Sequence, residues 1–217
     1  MLKKYFHWLE LISTLVIIIN SINPAQEKIS ITGSGGINYI PMKEFSNYLF
    51  SLSNSLVSSV DEISFSGSVK FNYYFNQNHS IYLGVDYLSS NASLAGGFAV
   101  FKWVFQTIPL STGYEYSITV KPESLKYYLG CGIIYSFFEN TEKINSDVGE
   151  DSEPFKDYSF GFEFKSGIKL LIVQDIFALA ELKYRYLGDY KMNSYNNFDQ
   201  VNLSGLGLHV GLMLSIL

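Results

Sequence analysis

The chain has 217 residues and a formal charge of −5, which argues against a nucleic-acid partner held by phosphate contacts. Its single cysteine, Cys131, rules out an intramolecular disulfide and a thiolate metal cluster. Only 16% of residues are charged while 17% are aromatic, yet beyond the N-terminal segment no run of about 18 apolar residues offers a helical membrane span. Apolar residues dispersed at period two satisfy all of these facts, and that is the pattern of a membrane β-barrel.

The N-terminus reads as an export leader. Lys3 and Lys4 form a short basic region, residues 11–19 an apolar core, and residues 21–25 a small-residue stretch with cleavage predicted between Ala25 and Gln26. The alternative is an uncleaved anchor, for which the apolar run is short. Residues 1–25 are therefore set apart as a signal peptide, and 26–217 form the mature domain.

Alternating segments then follow in order. Residues 29–40 set Ser30, Thr32, Ser34 and Asn38 on one side. Residues 63–75 set Ile63, Phe65, Val69, Phe71, Tyr73 and Phe75 against Ser64, Ser66, Ser68, Lys70 and Asn72. Residues 81–87 oppose Leu83 and Val85 to Asp86, and residues 108–118 oppose Leu110, Tyr114 and Tyr116 to Ser111, Gly113, Glu115 and Ser117. In 125–137, Tyr127, Leu129, Cys131, Ile133 and Tyr135 face away from Lys126, Tyr128, Gly130, Gly132 and Ser136. In 158–172, Phe160, Phe162, Phe164, Ile168 and Leu170 oppose Glu163, Lys165 and Lys169. Residues 176–186 oppose Ala178, Ala180, Leu182 and Tyr184 to Glu181, Lys183 and Arg185, and 206–216 oppose Leu208, Val210, Leu212 and Leu214 to Gly207, His209, Gly211 and Ser215.

Every Asp, Glu, Lys, Arg and His in these segments falls in the polar phase: Lys70, Asp86, Glu115, Lys126, Glu163, Lys165, Lys169, Glu181, Lys183, Arg185 and His209. A charge facing lipid at mid-membrane costs about 2–4 kcal/mol, so the polar phase must point inward. On that basis Val69→Lys is expected to impair assembly more than Lys70→Met. Connections alternate in length: 76–80, 119–124 and 173–175 are short, whereas 41–62, 88–107, 138–157 and 187–205 are long. Short periplasmic turns and longer outer loops have this rhythm in an even-stranded barrel. The expected fold is all-β: an eight-stranded antiparallel up-and-down transmembrane β-barrel, with 29–40 paired to 206–216 to close the sheet. Tyr73, Phe75, Tyr114, Tyr116 and Tyr127 then form a periplasmic belt. Tyr87, Tyr135, Phe137, Phe160, Phe162, Tyr184 and Tyr186 form an outer one.

The segments IPLSTGYEY (108–116), YYLGCGIIY (127–135), ALAELKYRY (178–186) and the C-terminal LSGLGLHVGLMLSIL resemble the small outer-membrane β-barrel family, the OmpA-like and porin-like group. The resemblance covers the mature chain and implies residence in a bacterial outer membrane, lipid contact, and insertion by the barrel-assembly machinery. It also implies that His209, Gly211, Leu214 and Ile216 serve as the assembly signal, although members usually end in an aromatic residue and this chain ends in Leu217.

The inward charges, near balance in sign, read as a salt-bridged plug, with a narrow channel as the alternative. No catalytic, cofactor or metal residue is assigned. His79 falls in a periplasmic turn, and His209 faces the lumen without an evident nucleophile. The acidic stretch from Glu139 through Glu142, Asp147, Glu150, Asp151 and Glu153 to Asp157 lacks calcium-ligand spacing and reads as a solvated loop. The run 33–36, GSGG, precedes a strand rather than a helix, so it reads as close packing in the wall, not as a phosphate loop. In 42–57, Phe45, Leu49, Leu52 and Leu56 recur at helical spacing, which predicts a short helix able to cap the barrel mouth, lie on the membrane or touch a partner. The expected function is a non-enzymatic, monomeric outer-membrane barrel displaying its outer loops in a structural or interaction role. The alternative is a narrow channel or carrier for small or hydrophobic solutes.

Overall fold

The computed structural model describes residues 29–52, 57–96, 99–121, 124–146, 149–192 and 200–216. The segment expected from the sequence to be a signal peptide, Leu56, Asp147 and Leu217 lie outside them. In chain order the elements are β1 (Ile29–Tyr39), α1 (Lys43–Leu52), β2 (Val57–Val60), β3 (Ile63–Tyr74), β4 (His79–Gly96) and β5 (Ala99–Lys121). They continue with β6 (Leu125–Ser146), β7 (Gly149–Val173), β8 (Ile176–Leu187), β9 (Tyr190–Lys191), β10 (Gln200–Val201) and β11 (Gly205–Ile216).

Eight of these strands close into a barrel wall in the order β1, β3, β4, β5, β6, β7, β8, β11, every neighbour antiparallel. Closure is made by β1 on β11, in unbroken register from Ile29 opposite Ile216 to Tyr39 opposite Leu206. The alternation read from the sequence thereby becomes two surfaces. Ile81, Leu83, Val85, Leu129, Ile133, Phe160, Leu208 and Val210 stand exposed outside, while Ser30, Thr32, Asn72, Glu115, Lys169 and His209 are buried inside. An exposed apolar belt around the whole wall exceeds anything a soluble monomer tolerates, and it fits contact with lipid. No helix among the described residues is long and apolar enough to cross a membrane; the strands do the crossing.

Two details of the wall follow from local chemistry. The β7–β8 turn places Asp175 at φ 65°, a left-handed conformation that Asp tolerates better than most residues. The β4–β5 ladder skips from Val85 opposite Leu110 to Leu88 opposite Thr107, and Pro109, which has no N–H to donate, lies in the gap.

The structure corrects the expected loops at 88–107 and 138–157. Both stretches continue the strands, so that β4 runs to Gly96, β5 begins at Ala99, β6 runs to Ser146 and β7 begins at Gly149, all well past the neighbouring β8 and β11. The pleat keeps its phase there, but the chemistry on the two faces changes places. Along β4, Asp86 is the last charged inward residue; above it Leu88, Ala92 and Leu94 are buried while Asn91 is exposed. On β5, Trp103 and Phe105 point inward and Lys102 outward; on β6, Phe138 points inward and Lys143 outward. Apolar-in, polar-out is the pattern of a strand in water, so the reversal marks where the wall leaves the lipid. Past that boundary the outward phase carries polar residues such as Asn91, Lys102 and Lys143, so the apolar alternation that marks a strand in lipid ends although the strand continues.

This boundary can be measured on one strand. Leu83→Lys, below the reversal, should weaken folding into lipid vesicles by about 2–4 kcal/mol, and Asn91→Lys, eight positions further along the same face, should be nearly neutral. Denaturant titration of the refolded variants reads both, and equal sensitivity would place the boundary wrongly.

Candidate functional site: the filled lumen and its outer plug

Inside the membrane belt, long charged side chains meet across the lumen. Glu115 on β5 receives Lys70 from β3 at 3.3 Å, Lys165 from β7 at 3.7 Å, and the ammonium of Lys169 in direct contact. Lys70 also reaches Glu181 on β8 at 3.2 Å, and Glu181 accepts the Tyr128 hydroxyl at 2.7 Å and pairs with Lys183 at 3.4 Å. Lys183 and Arg185 converge on Asp86 at 3.2 and 3.0 Å. Arg185 donates to Asn38 Oδ1 at 3.1 Å, and Asn38 donates to Ser66 Oγ at 2.8 Å. Glu163 accepts the Tyr82 hydroxyl at 2.7 Å, with Lys165 at 4.0 Å and seated over the Tyr82 ring. Ion pairs and phenols thus form one connected cluster drawn from β1, β3, β4, β5, β6, β7 and β8.

Backbone register makes the room. Glu115 and Lys165 both lie opposite Gly130, Glu163 opposite Gly132, Glu181 opposite Gly167, Lys70 opposite Gly84 and Lys183 opposite Gly207. A Cβ at Gly130 would come within 2.7 Å of Lys165 Cε, and one at Gly132 would collide with the Tyr82 hydroxyl. Alternating small and large residues around an eight-stranded interior is the packing such a barrel needs. In the GSGG run, Gly36 fits the close-packing reading, since a Cβ there would lie 2.7 Å from His209 Cγ; at Gly33 a Cβ would meet nothing within 4 Å, and at Gly35 it would make an ordinary contact with the Ser66 carbonyl oxygen at 3.7 Å.

Of the eleven inward residues singled out from the sequence, ten are buried. Lys126 is the exception, half-buried at the periplasmic end with its ammonium 5.5 Å from the Phe177 ring centre. His209 joins the cluster through Ser66, whose Oγ lies 3.2 Å from His209 Nε2, and through Asn38 Oδ1 at 3.4 Å. This is the nearest approach to a serine–histidine pair. Its serine already accepts the Asn38 amide, His209 Nδ1 has no hydrogen-bond partner among the described residues, and both residues are buried where no substrate carbonyl can reach them. Of the β11 residues that the sequence resemblance singled out as an expected assembly signal, Leu214 and Ile216 face outward, and Gly211 packs against Ser34 of β1. His79 stands at the periplasmic rim against the Tyr114 hydroxyl and the Tyr116 ring.

A second layer sits above the first. The segment expected to be helical between 42 and 57 forms α1 over Lys43–Leu52, and it is folded into the outer mouth, with Phe45 1% and Leu49 0% exposed. Phe45 meets Trp103 and Phe105 edge-on at 5.5 and 5.3 Å. Phe105 stacks on Phe138, and Phe138 on Tyr190 at 4.6 Å. Burial pushes the Tyr190 phenol above its usual range. Met42, Met192, Val201 and Leu203 complete an apolar plug. Sequence reasoning missed the contributions of Trp103, Phe105 and Phe138 because they lay in presumed loops. It also passed over Tyr82, whose only signal is an aromatic residue in the polar phase. In the acidic stretch, Glu139 pairs with Lys156 at 3.2 Å, Glu142 is buried and Asp157 accepts the Lys191 amide at 2.7 Å, so these residues belong to strands rather than to a free loop.

No protein-family model matches the chain, and no curated protein sequence matches it. Solved structures do. The outer membrane protein OprG of Pseudomonas aeruginosa is similar over 88% of this chain and 96% of its own, with a TM-score of 0.57 at 12% identity. The fold is that of the small outer-membrane β-barrels. Neisserial surface protein A is similar over 89% of this chain and all of its own length (100%), at 15% identity and TM-score 0.46. The outer membrane protease OmpT of Escherichia coli is similar over 91% of this chain and 100% of its own, at 8% identity and TM-score 0.44. At 12% identity the likeness to OprG speaks for the barrel architecture, and the role has to be argued from the barrel's own side chains.

The ion cluster predicts a specific hierarchy of variants. Glu115→Ala takes a carboxylate from three ammonium groups; Lys70 keeps Glu181 and Lys165 keeps Glu163, but Lys169 is left without an ion-pair partner among the described residues. The variant should destabilise by about 3–5 kcal/mol, and adding Lys169→Met should recover part of that. Lys70 holds Glu115 and Glu181 together, so Lys70→Met should now be as harmful as a lipid-facing charge, the reverse of what the sequence alone suggested. Denaturant midpoints of vesicle-folded variants decide it.

Proposed function

We propose that this chain is a non-enzymatic, integral barrel of a bacterial outer membrane whose working part is the outer extension of β4–β7, held up by a sealed lumen for a structural or interaction role. The observation that carries this reading is the double closure: an aromatic plug at the outer mouth and an ion-paired layer beneath it. Either layer alone obstructs a water column, and an eight-stranded wall leaves space for little besides side chains. The fold likeness to OprG and the exposed apolar belt support placement in an outer membrane. In this reading residues 1–25 direct export and are removed, the β11 residues His209, Gly211, Leu214 and Ile216 are read during assembly, and the protein works as a monomer without cofactor.

A channel for polar solutes would need a continuous polar path, and the plug interrupts it with Phe45, Leu49, Trp103 and Phe105. Wild-type protein in planar bilayers should therefore show no steady conductance of porin size. Phe45→Ala should lose about 3–5 kcal/mol of stability yet stay closed, because the ion-paired layer remains. A large, stable conductance from wild-type monomer would instead make transport the function.

A further inference from the structure

The lipid-facing wall is uneven. Between β5 and β11 a groove of about 570 Å³ opens on the outside of the barrel. Two cross-strand rows border it. One runs Tyr114, Cys131, Phe164, Tyr184, Leu206, and the other Tyr116, Leu129, Ser166, Leu182. Each row carries one small residue among large ones. Cys131 and Ser166 sit on adjacent strands, offset by one rung of the ladder, so the gap runs diagonally across the wall over the backbone of Gly130. Lys165 contributes only its backbone side to this floor, since its ammonium is committed to the lumen.

What meets this groove is set by where it opens. Leu129, Phe164, Leu182 and Tyr184 belong to the exposed apolar belt, so the groove is continuous with the surface that faces hydrocarbon. In that medium association gains nothing from excluding water. It depends on dispersion contact, which an unfilled gap forfeits and which small residues allow by letting the partner come close. The lining offers no charge, and its polar atoms are the hydroxyls of Ser166 and of the tyrosines at its ends. A single flexible methylene chain can follow the diagonal, whereas a second barrel would present a rigid convex wall of large side chains. We propose that this groove seats one acyl chain of a membrane lipid, held in preference to the chains around the rest of the belt.

The test uses the full chain folded into phosphatidylethanolamine–phosphatidylglycerol vesicles that contain a phospholipid with a photoactivatable diazirine in mid-chain. After irradiation, adducts are mapped by peptide mass spectrometry. Residues 129–131, 164–166 and 182–184 should carry about fivefold more adduct than Val69, Leu83 and Val85 on the β3–β4 wall, which corresponds to a modest preference. Cys131→Phe and Ser166→Leu, each filling the gap, should reduce labelling of the remaining groove residues to the belt level. If either variant fails to fold, the wild-type map still decides. An even distribution of adducts overturns the proposal, and so does a second copy on the groove, seen as disulfide-linked dimer through Cys131.

Discussion

A backbone N–H or C=O left unpaired in hydrocarbon costs several kcal/mol, and no water is at hand to satisfy it. For this chain that penalty decides the topology. Each wall strand needs a partner on both sides, which only a closed sheet provides, and the pairing of Gly35 with Val210 and its neighbours along β1 and β11 supplies the last two edges. Closure leaves just two surfaces, and the pleat sends successive side chains to one and then the other. With lipid outside, the inside must take every charge. The interior chemistry is a consequence of the exterior solvent.

The same logic runs in reverse above the membrane. Once β4 to β7 rise into water, the outside becomes polar and the inside apolar, with Leu94, Trp103, Phe105 and Phe138 forming a core. Here the sheet no longer closes, because β8 ends at Leu187 and β11 begins at Gly205. An open curved sheet with an apolar hollow needs a cover, and α1 with the short antiparallel pair β9–β10 provides it. The plug is therefore the hydrophobic core of a small water-exposed half-barrel standing on a membrane-embedded one. One strand serves both solvents by changing its residues and keeping its geometry.

Most of the wall was legible because period two is a strong signal when one phase excludes charge. The strands at 29–40, 63–75, 125–137 and 206–216 needed little adjustment at their membrane ends, and the pairing of first strand with last followed from closure. The upper halves of β4 to β7 were not legible, because the inference tied strand to outward hydrophobicity and that link breaks where the solvent changes. Helical spacing found Phe45 and Leu49, but whether they would face lipid, water or the lumen depended on a hollow formed by residues far away in sequence. In the lumen, the sign and phase of each charge could be read, whereas partners such as Lys70 with Glu181 or Arg185 with Asp86 are set by strand stagger, which alternation does not encode. Gly130 and Gly132 were visible as small residues in the polar phase; that they make room for Lys165 and Tyr82 emerges only from the register.

This inversion also changes how a buried charge cluster should be weighed. In a water-soluble protein, several ionised groups gathered away from solvent mark a candidate active site, because folding there gives no general reason to bury them. In a narrow membrane barrel there is such a reason: charges that the lipid excludes have only the lumen to occupy, and they must then neutralise one another. The Glu115–Lys70–Glu181 chain and the Ser66–His209 contact meet that obligation with their hydrogen-bonding capacity largely used by neighbouring side chains. Capacity for an outside partner lies where side chains remain uncommitted, which is on surfaces rather than in the lumen. The polar outer face of the β4–β7 extension is one such surface. The uneven stretch of wall around Cys131 and Ser166 is the other, and there the missing bulk leaves the gap proposed to seat an acyl chain.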